Sequence, residues 1–319
     1  MLPCLSFADW YQRDPIKCLT ERDVTMAPSA VFSALLRRLR TVGRSAAALT
    51  ALALGFHTAL PAAADAGEKS ALAGIQQRGI LTVALYKDFA PFSDNGRGID
   101  VDLAEALAAK LGVKMTPLWF NAGDRMEDDL RKMVWLGTPI GYGPADLMMH
   151  VPVDRNYMAM VKQVKIFAPY HRERFAIGRQ LEKLPTLESL EPFEKLSLAV
   201  EGESMGALVM LSADNGRYRD KLKIFKNAEE AIVALKSGVA VATLAQQGEL
   251  EGILGDDARF AIELPPHPVL KMRQWMLGLA VKAESDDVAK ALEGAMNELL
   301  ADGTVKRIMQ RHGVKHRIP

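Results

Sequence analysis

At 319 residues, 49% hydrophobic and 25% charged, the chain can bury one large or two medium cores, which excludes a disordered tail and a disulfide-stapled miniature. Its 40 Lys and Arg against 39 Asp and Glu leave a formal net charge of +1. Holding a phosphate backbone takes a basic field, so no nucleic-acid partner is expected.

Residues 45–64 carry no Asp, Glu, Lys or Arg, and Arg37, Arg38, Arg40 and Arg44 stand just before them. A positive region, an Ala/Leu-rich run from Ala46 to Leu60, Pro61 and the series Ala62-Ala63-Ala64-Asp65-Ala66 make the pattern of a secretory signal cleaved after Ala64 or Ala66. The run is broken by Gly55 and Pro61 and is close to the lower length limit for a spanning helix, which argues against a membrane anchor. Met26 is the expected start, so residues 26–66 read as a signal peptide and 1–25 as an upstream mis-assignment. Both cysteines, Cys4 and Cys18, fall in that upstream piece. Setting aside the seven basic and five acidic residues before position 67 leaves 33 against 34, a net −1. An exported chain without cysteine must be stabilised by its core. The cleavage point has no lipobox cysteine, so the expected location is the periplasm of a Gram-negative cell.

Strand-length apolar runs then alternate with segments of helical period, the pattern of an α/β protein with largely parallel sheets. Ile80–Leu85 is the first strand, and Leu103, Leu107 and Leu111 form the stripe of a helix that stops at Gly112. A strand over 113–119 and a helix over 127–135 follow, then a Gly/Pro-rich loop (137–144) and a strand at Asp146–Met149. Strands over 196–200, 222–225 and 239–244, separated by helices near 205–213 and 228–237, predict a second, smaller α/β unit. Trp275–Val281 is again a strand, and helices over 285–301 and 303–311 close the chain, with Gly303 between them.

Several segments carry a family resemblance. Gly79-Ile80-Leu81-Thr82-Val83-Ala84 precedes the turn Phe89-Ala90-Pro91-Phe92-Ser93, and Gly98-Ile99-Asp100-Val101-Asp102-Leu103-Ala104 opens a helix. Ala145-Asp146 is followed by Phe167-Ala168-Pro169-Tyr170, and Asn297-Glu298-Leu299 by Ala301-Asp302-Gly303-Thr304 and Ile308. Taken together, residues 79–313 resemble the family 3 extracellular solute-binding proteins, the periplasmic receptors known for amino-acid uptake through ABC-type importers. The resemblance implies a bilobed type II periplasmic-binding-protein fold: two α/β lobes joined by two crossover strands, near Arg172–Ile177 and Arg273–Leu279. Lobe 1 would comprise 67–172 and 276–319, and lobe 2 would comprise 173–275. A ligand in the cleft stabilises the closed state by touching both lobes, with no chemistry required.

The ligand-contacting positions depart from the amino-acid pattern. Where those receptors place Thr-x-x-Arg to grip a carboxylate, this chain has Val153 and Asn156, with Arg155 one residue out of register. Where they place an Asp against the ligand ammonium, it has Gln246, a neutral amide. A free α-amino acid is therefore not the expected ligand. The resemblance points to Phe89 and Phe92, with Tyr86 nearby, as an aromatic stack on the ligand. Phe92 after Pro91 equally suits a core plug. Ser204 and Met205 lie between a strand and a helix, where free N–H groups could hold an anion, although capping alone explains Ser204. His150 is placed at a strand end facing the cleft, a position a structural histidine also fills. Asp154 joins Glu201 and Glu203 as nearby acids.

Met148, Met149, His150, Met158 and Met160 suit Cu(I) by ligand type, but adjacent methionines on a strand point to opposite faces. Asp100 and Asp102 offer oxygen ligands, yet acids are favoured in a helix's opening turn anyway. EF-hand spacing, a Cys/His metal pattern, G-x-S-x-G and a phosphate loop are all lacking, so no cofactor or metal is expected. The expected function is an exported, monomeric solute-binding protein that captures a small polar organic molecule and delivers it to an inner-membrane ABC permease. One alternative is an accessory of a PQQ-dependent alcohol dehydrogenase, since the 137–144 insertion and His-Val-Pro-Val-Asp faintly resemble such components, and its partner would be that quinoprotein. Another is a dehydratase on the same fold, which would need a carboxylic acid in the cleft.

Overall fold

The computed structural model describes residues 70–123, 125–266 and 274–319. The expected signal peptide and the segment before it lie outside the described residues. Ser70–Pro319 belong to one compact unit. Among the described residues no helix is long and apolar enough to cross a membrane.

The first half opens with helix α1 (Ala71–Arg78), β1 (Ile80–Tyr86), a short hairpin of β2 (Asp88–Phe89) and β3 (Ser93–Asp94), and α2 (Ile99–Lys110). Next come β4 (Lys114–Phe120), α3 (Met126–Leu130), β5 (Leu147–Val153) and α4 (Arg155–Met160). The helix expected over 127–135 is α3 continued by a π turn over Arg131–Trp135. The long strand β6 (Val164–Gln180) leads into β7 (Leu198–Glu201), α5 (Met205–Ser212), β8 (Leu222–Phe225) and α6 (Ala228–Lys236). After β9 (Ala242–Gln246), α7 (Gln247–Leu254) and β10 (Phe260–Glu263), the chain returns through β11 (Gln274–Lys282), α8 (Asp286–Ala301) and α9 (Thr304–Arg311). Helix α8 shows why these elements form. Asp286 and Asp287 sit in its first turn, where the helix dipole favours acids, and Val288, Leu292, Ala295, Met296 and Leu299 line its buried stripe.

The strands run in the order β4-β1-β5-β11-β6-β9-β7-β8, with β10 on β6. β1 pairs in parallel with β4 and β5, and β7 with β8 and β9. β6 serves both halves. Val164–Arg174 is antiparallel to β11, and from Phe175 onward the strand pairs with β9 instead. The switch falls inside the stretch expected as the first crossover. Of the second, Gln274–Leu279 lies within β11, which pairs with β5 and β6, while Arg273 is outside the described residues. Met148 and Met149 pack into separate apolar clusters, as the two-residue period of a strand requires.

Candidate ligand-binding site

In open α/β sheets ligands bind beyond the carboxyl ends of the strands. Tyr86 ends β1, Glu201 ends β7 and Gln246 ends β9, while His150 stands three residues before the end of β5. His150 is placed by a bulge. Opposite Gly278 the β11 register slips against both β5 and β6, and His150 and Ala168 take left-handed φ values of 62° and 49°. Only glycine fits at 278, because a Cβ there would stand 2.5 Å from the Phe167 carbonyl oxygen and 2.5 Å from Val153 Cγ2. The bulge turns the His150 ring toward the aromatic turn.

That turn brings three of the expected residues together around His150. The Phe89 and Phe92 rings lie 4.6 and 4.5 Å from the His150 ring, both edge-on, and Phe89 is 5.8 Å from Tyr86. Tyr86 is buried with its hydroxyl 3.2 Å from Asp129 Oδ2. Burial pushes the Asp129 carboxyl up to about 6, against the Gly123 N–H and the Tyr86 hydroxyl, which donate to it and pull the other way. Phe92 is completely buried and reaches the second half: a Cβ at Gly248 of α7 would meet its Cζ at 2.6 Å. The plug reading of Phe92 describes its place, while Phe89 stays half-buried beside it.

The other expected residues are held by local structure. Asp154 Oδ1 accepts from the Tyr157 N–H and caps α4, whereas Arg155 and Asn156 are exposed. Ser204 Oγ accepts from the Ala207 N–H at 3.1 Å and donates to the Glu201 carbonyl at 2.7 Å, so it caps α5. Half-buried Met205 packs against the core of the second half. The Gln246 N–H donates to Glu249 Oε2 at 3.0 Å, which places Gln246 two residues from the Phe92 contact at Gly248.

Sequence reasoning missed a buried polar chain that runs behind this cluster. Asp100 accepts from the Tyr170 hydroxyl at 2.7 Å and lies 2.9 Å from His150 Nδ1. Burial and the neighbouring Asp100 carboxylate push the Tyr170 hydroxyl well up. Next along β6, burial holds His171 neutral, with its pKa lowered to about 2, and pushes Glu173 up to about 7. Glu173 accepts from the Gly248 N–H at 3.2 Å, and its Oε1 lies 3.6 Å from Arg317. Arg317 also donates to Glu251 of α7 at 2.9 Å and to the Arg172 carbonyl at 3.1 Å. The C-terminal tail therefore ties α7 to the strand where the halves meet. At the strand ends of the second half, burial raises Glu201 to about 7 and Glu249 well above the carboxylate range, with Glu201 adding repulsion to Glu249. A signal for part of this chain was present in the G-x-D and A-P-Y motifs, but not for Glu173 or Arg317.

No family model matches the chain, and no curated protein matches it in sequence. Solved structures do. An amino acid ABC transporter substrate-binding protein from Streptococcus pneumoniae bound to L-arginine matches with a TM-score of 0.57 at 19% identity, over 77% of this chain and 98% of that one. An ABC uptake transporter substrate-binding protein from the same organism, with bound histidine, matches at 0.56 and 15% identity, over 78% and 99%. An ancestral amino-acid-binding protein described as a precursor of cyclohexadienyl dehydratase matches at 0.55 and 22% identity, over 76% and 99%. At these identities the likeness is one of fold: a mixed α/β architecture shared with substrate-binding proteins of ABC transporters.

Proposed function

We propose that this chain is an exported solute-binding protein that captures a small polar organic molecule between two lobes, 67–172 with 276–319 and 173–275, for ABC-type uptake. The observation that carries the reading is β6, which passes through both half-sheets and leaves the aromatic turn and the start of α7 facing each other at the strand ends. A strand shared by two half-sheets can act as a hinge, and a solute that touches both halves shifts the equilibrium toward closure. The fold neighbours bind arginine and histidine. With Asn156 exposed and Gln246 neutral, the amino-acid clamp is not reproduced here, so the reading extends to small polar molecules of other classes.

The test is a thermal-shift screen of the full chain against carboxylates, amines, sugars and amides, followed by small-angle scattering. One class should raise the melting temperature and reduce the radius of gyration, because a ligand that binds only the folded state stabilises it by mass action. A flat screen would overturn the uptake reading. It would favour the accessory role, to which the direct packing of Phe92 on Gly248 lends support because the protein's own ring already joins the two halves. The dehydratase reading is kept open by Glu201, whose carboxyl is raised to about 7. Turnover of prephenate, abolished in Glu201→Gln, would establish it in place of the receptor.

A further inference from the structure

We infer that the pocket where β5, β6 and β11 meet is a binding site of its own, one that takes the carboxylate of a small 2-hydroxy acid on the Arg172 guanidinium. The inference rests on the receptor reading for its purpose but not for the binding itself. The pocket has a volume of about 280 Å³ and is lined by Pro152, Val153, Asp154, Arg172, Trp275 and Met276, with Gln274 at the exposed start of β11. Water occupies about 30 Å³ per molecule in the liquid, so this space holds a compact organic acid but not a peptide or a sugar chain.

Arg172 is the reason to expect an anion. Its Nε is buried and has no hydrogen-bond partner, and its guanidinium is ion-paired to no carboxylate among the described residues. A buried donor left unpaired costs free energy that a bound acceptor recovers, and the planar guanidinium fork matches a carboxylate in bidentate fashion. The surroundings fix the backbone that carries that fork. The Arg172 backbone pairs with Met276 on one side, and with Arg317 on the other its N–H donates at 2.9 Å and its carbonyl accepts at 3.1 Å.

The remaining lining describes the rest of the ligand. Pro152, Val153, Met276 and the half-buried Trp275, itself packed on Phe175 at 5.0 Å, offer an apolar wall for a hydrocarbon or aromatic body. Asp154 lines the same pocket, and its Oδ1 is engaged by the Tyr157 N–H, which leaves Oδ2 to accept from a ligand hydroxyl. Together, Arg172 and Asp154 suit a carboxylate that carries a neighbouring donor.

The probe is mandelate, compared with its neutral amide, by titration calorimetry on the full chain. Mandelate should bind saturably, and the amide about tenfold or more weakly, because only the acid completes the charge-assisted pair. Arg172→Met should cost a similar factor and Arg172→Lys less, with the melting temperature of each unliganded variant checked first. In Trp275→Phe the mandelate-dependent change in tryptophan emission should disappear. Equal affinity for acid and amide, undiminished binding by Arg172→Met, or no saturation at millimolar mandelate would overturn the proposal. The acid-to-amide comparison decides the matter even if Arg172→Met does not fold. Failure of the receptor reading has a different signature, namely mandelate binding without compaction in scattering.

Discussion

Replacing Gly248 by alanine probes the contact that joins the two halves. The added Cβ would fall 2.6 Å from Phe92 Cζ and 2.6 Å from Glu173 Oε2, distances at which atoms must move. Neither neighbour can yield easily: Phe92 is completely buried between His150 and α7, and Glu173 is held by the Gly248 N–H and by Arg317. Overpacking a tight site costs about 1–3 kcal/mol, against which a glycine-to-alanine change in a helix returns up to about 1 kcal/mol. With the full return the expected net loss is about 0–2 kcal/mol, or up to about 8 °C in Tm for a domain of this size. Gly294 in α8 is the control, since a Cβ there meets nothing within 4 Å, and its replacement should stabilise the protein slightly. Urea denaturation of both variants measures the difference. The double variant Phe92→Leu/Gly248→Ala should be less destabilised than the two single changes added together, because the shortened side chain vacates the clash. If Gly248→Ala is as stable as Gly294→Ala, the two halves are not in the close contact described and the packing argument fails.

Three further outcomes follow from the polar chain and the caps. Glu173 holds its proton more tightly in the folded state, up to about 7 against the usual 4.5, so its contribution to stability is full below pH 4.5 and falls as the pH rises to about 7. Glu173→Gln should therefore gain stability relative to wild type between pH 5 and pH 8 by up to roughly 3 kcal/mol, and a pH-independent difference in urea midpoints would contradict the assignment. Arg317→Ala removes the charged partner of Glu251, which keeps only the Gln247 side chain and the Lys315 N–H, and loosens the tail, for an expected loss of roughly 3 kcal/mol by chemical denaturation. Ser204→Ala should cost about 1 kcal/mol by removing the α5 cap, with solute affinity unchanged, and a selective loss of solute affinity would instead make Ser204 a ligand contact.

The framework was legible because the elements that build it leave strong periodic signals. Leu103 and Leu107 of α2 and the stripe of α8 are buried where their spacing places them, with Leu111 half-buried just past the end of α2, and the β1, β4, β8 and β11 strands run within a residue or two of their apolar runs. What the sequence hid has physical causes. The 17 residues of β6 mix apolar and charged side chains, since the strand serves two half-sheets in turn and its alternation changes meaning at Arg174–Phe175. Helix α7 begins with polar Gln247 and Glu249 that are nonetheless buried, because they pack against β6 and not against solvent. No local pattern announces a buried glutamate whose partners are a backbone N–H 75 residues away and an arginine at the C-terminus.

The same division separates residues that the frame fixes from residues that it leaves open. Asp100 of the G-x-D motif anchors His150 and Tyr170, and Gly98 lies against Phe92, where a Cβ would come 2.3 Å from the carbonyl oxygen, so each motif residue is fixed by the frame itself. Asn156 is exposed, with no side-chain hydrogen bond to the frame among the described residues, whereas Val153 is half-buried at the end of β5 and packs on the core. Replacing exposed Asn156 should therefore cost the architecture little. Arg172 combines the two conditions: its backbone is bound into the frame by Met276 and Arg317, while its buried Nε has no hydrogen-bond partner among the described residues. A side chain so placed can be selected for a ligand without disturbing the strand that carries it. That makes Arg172 the residue whose substitution should separate recognition from stability.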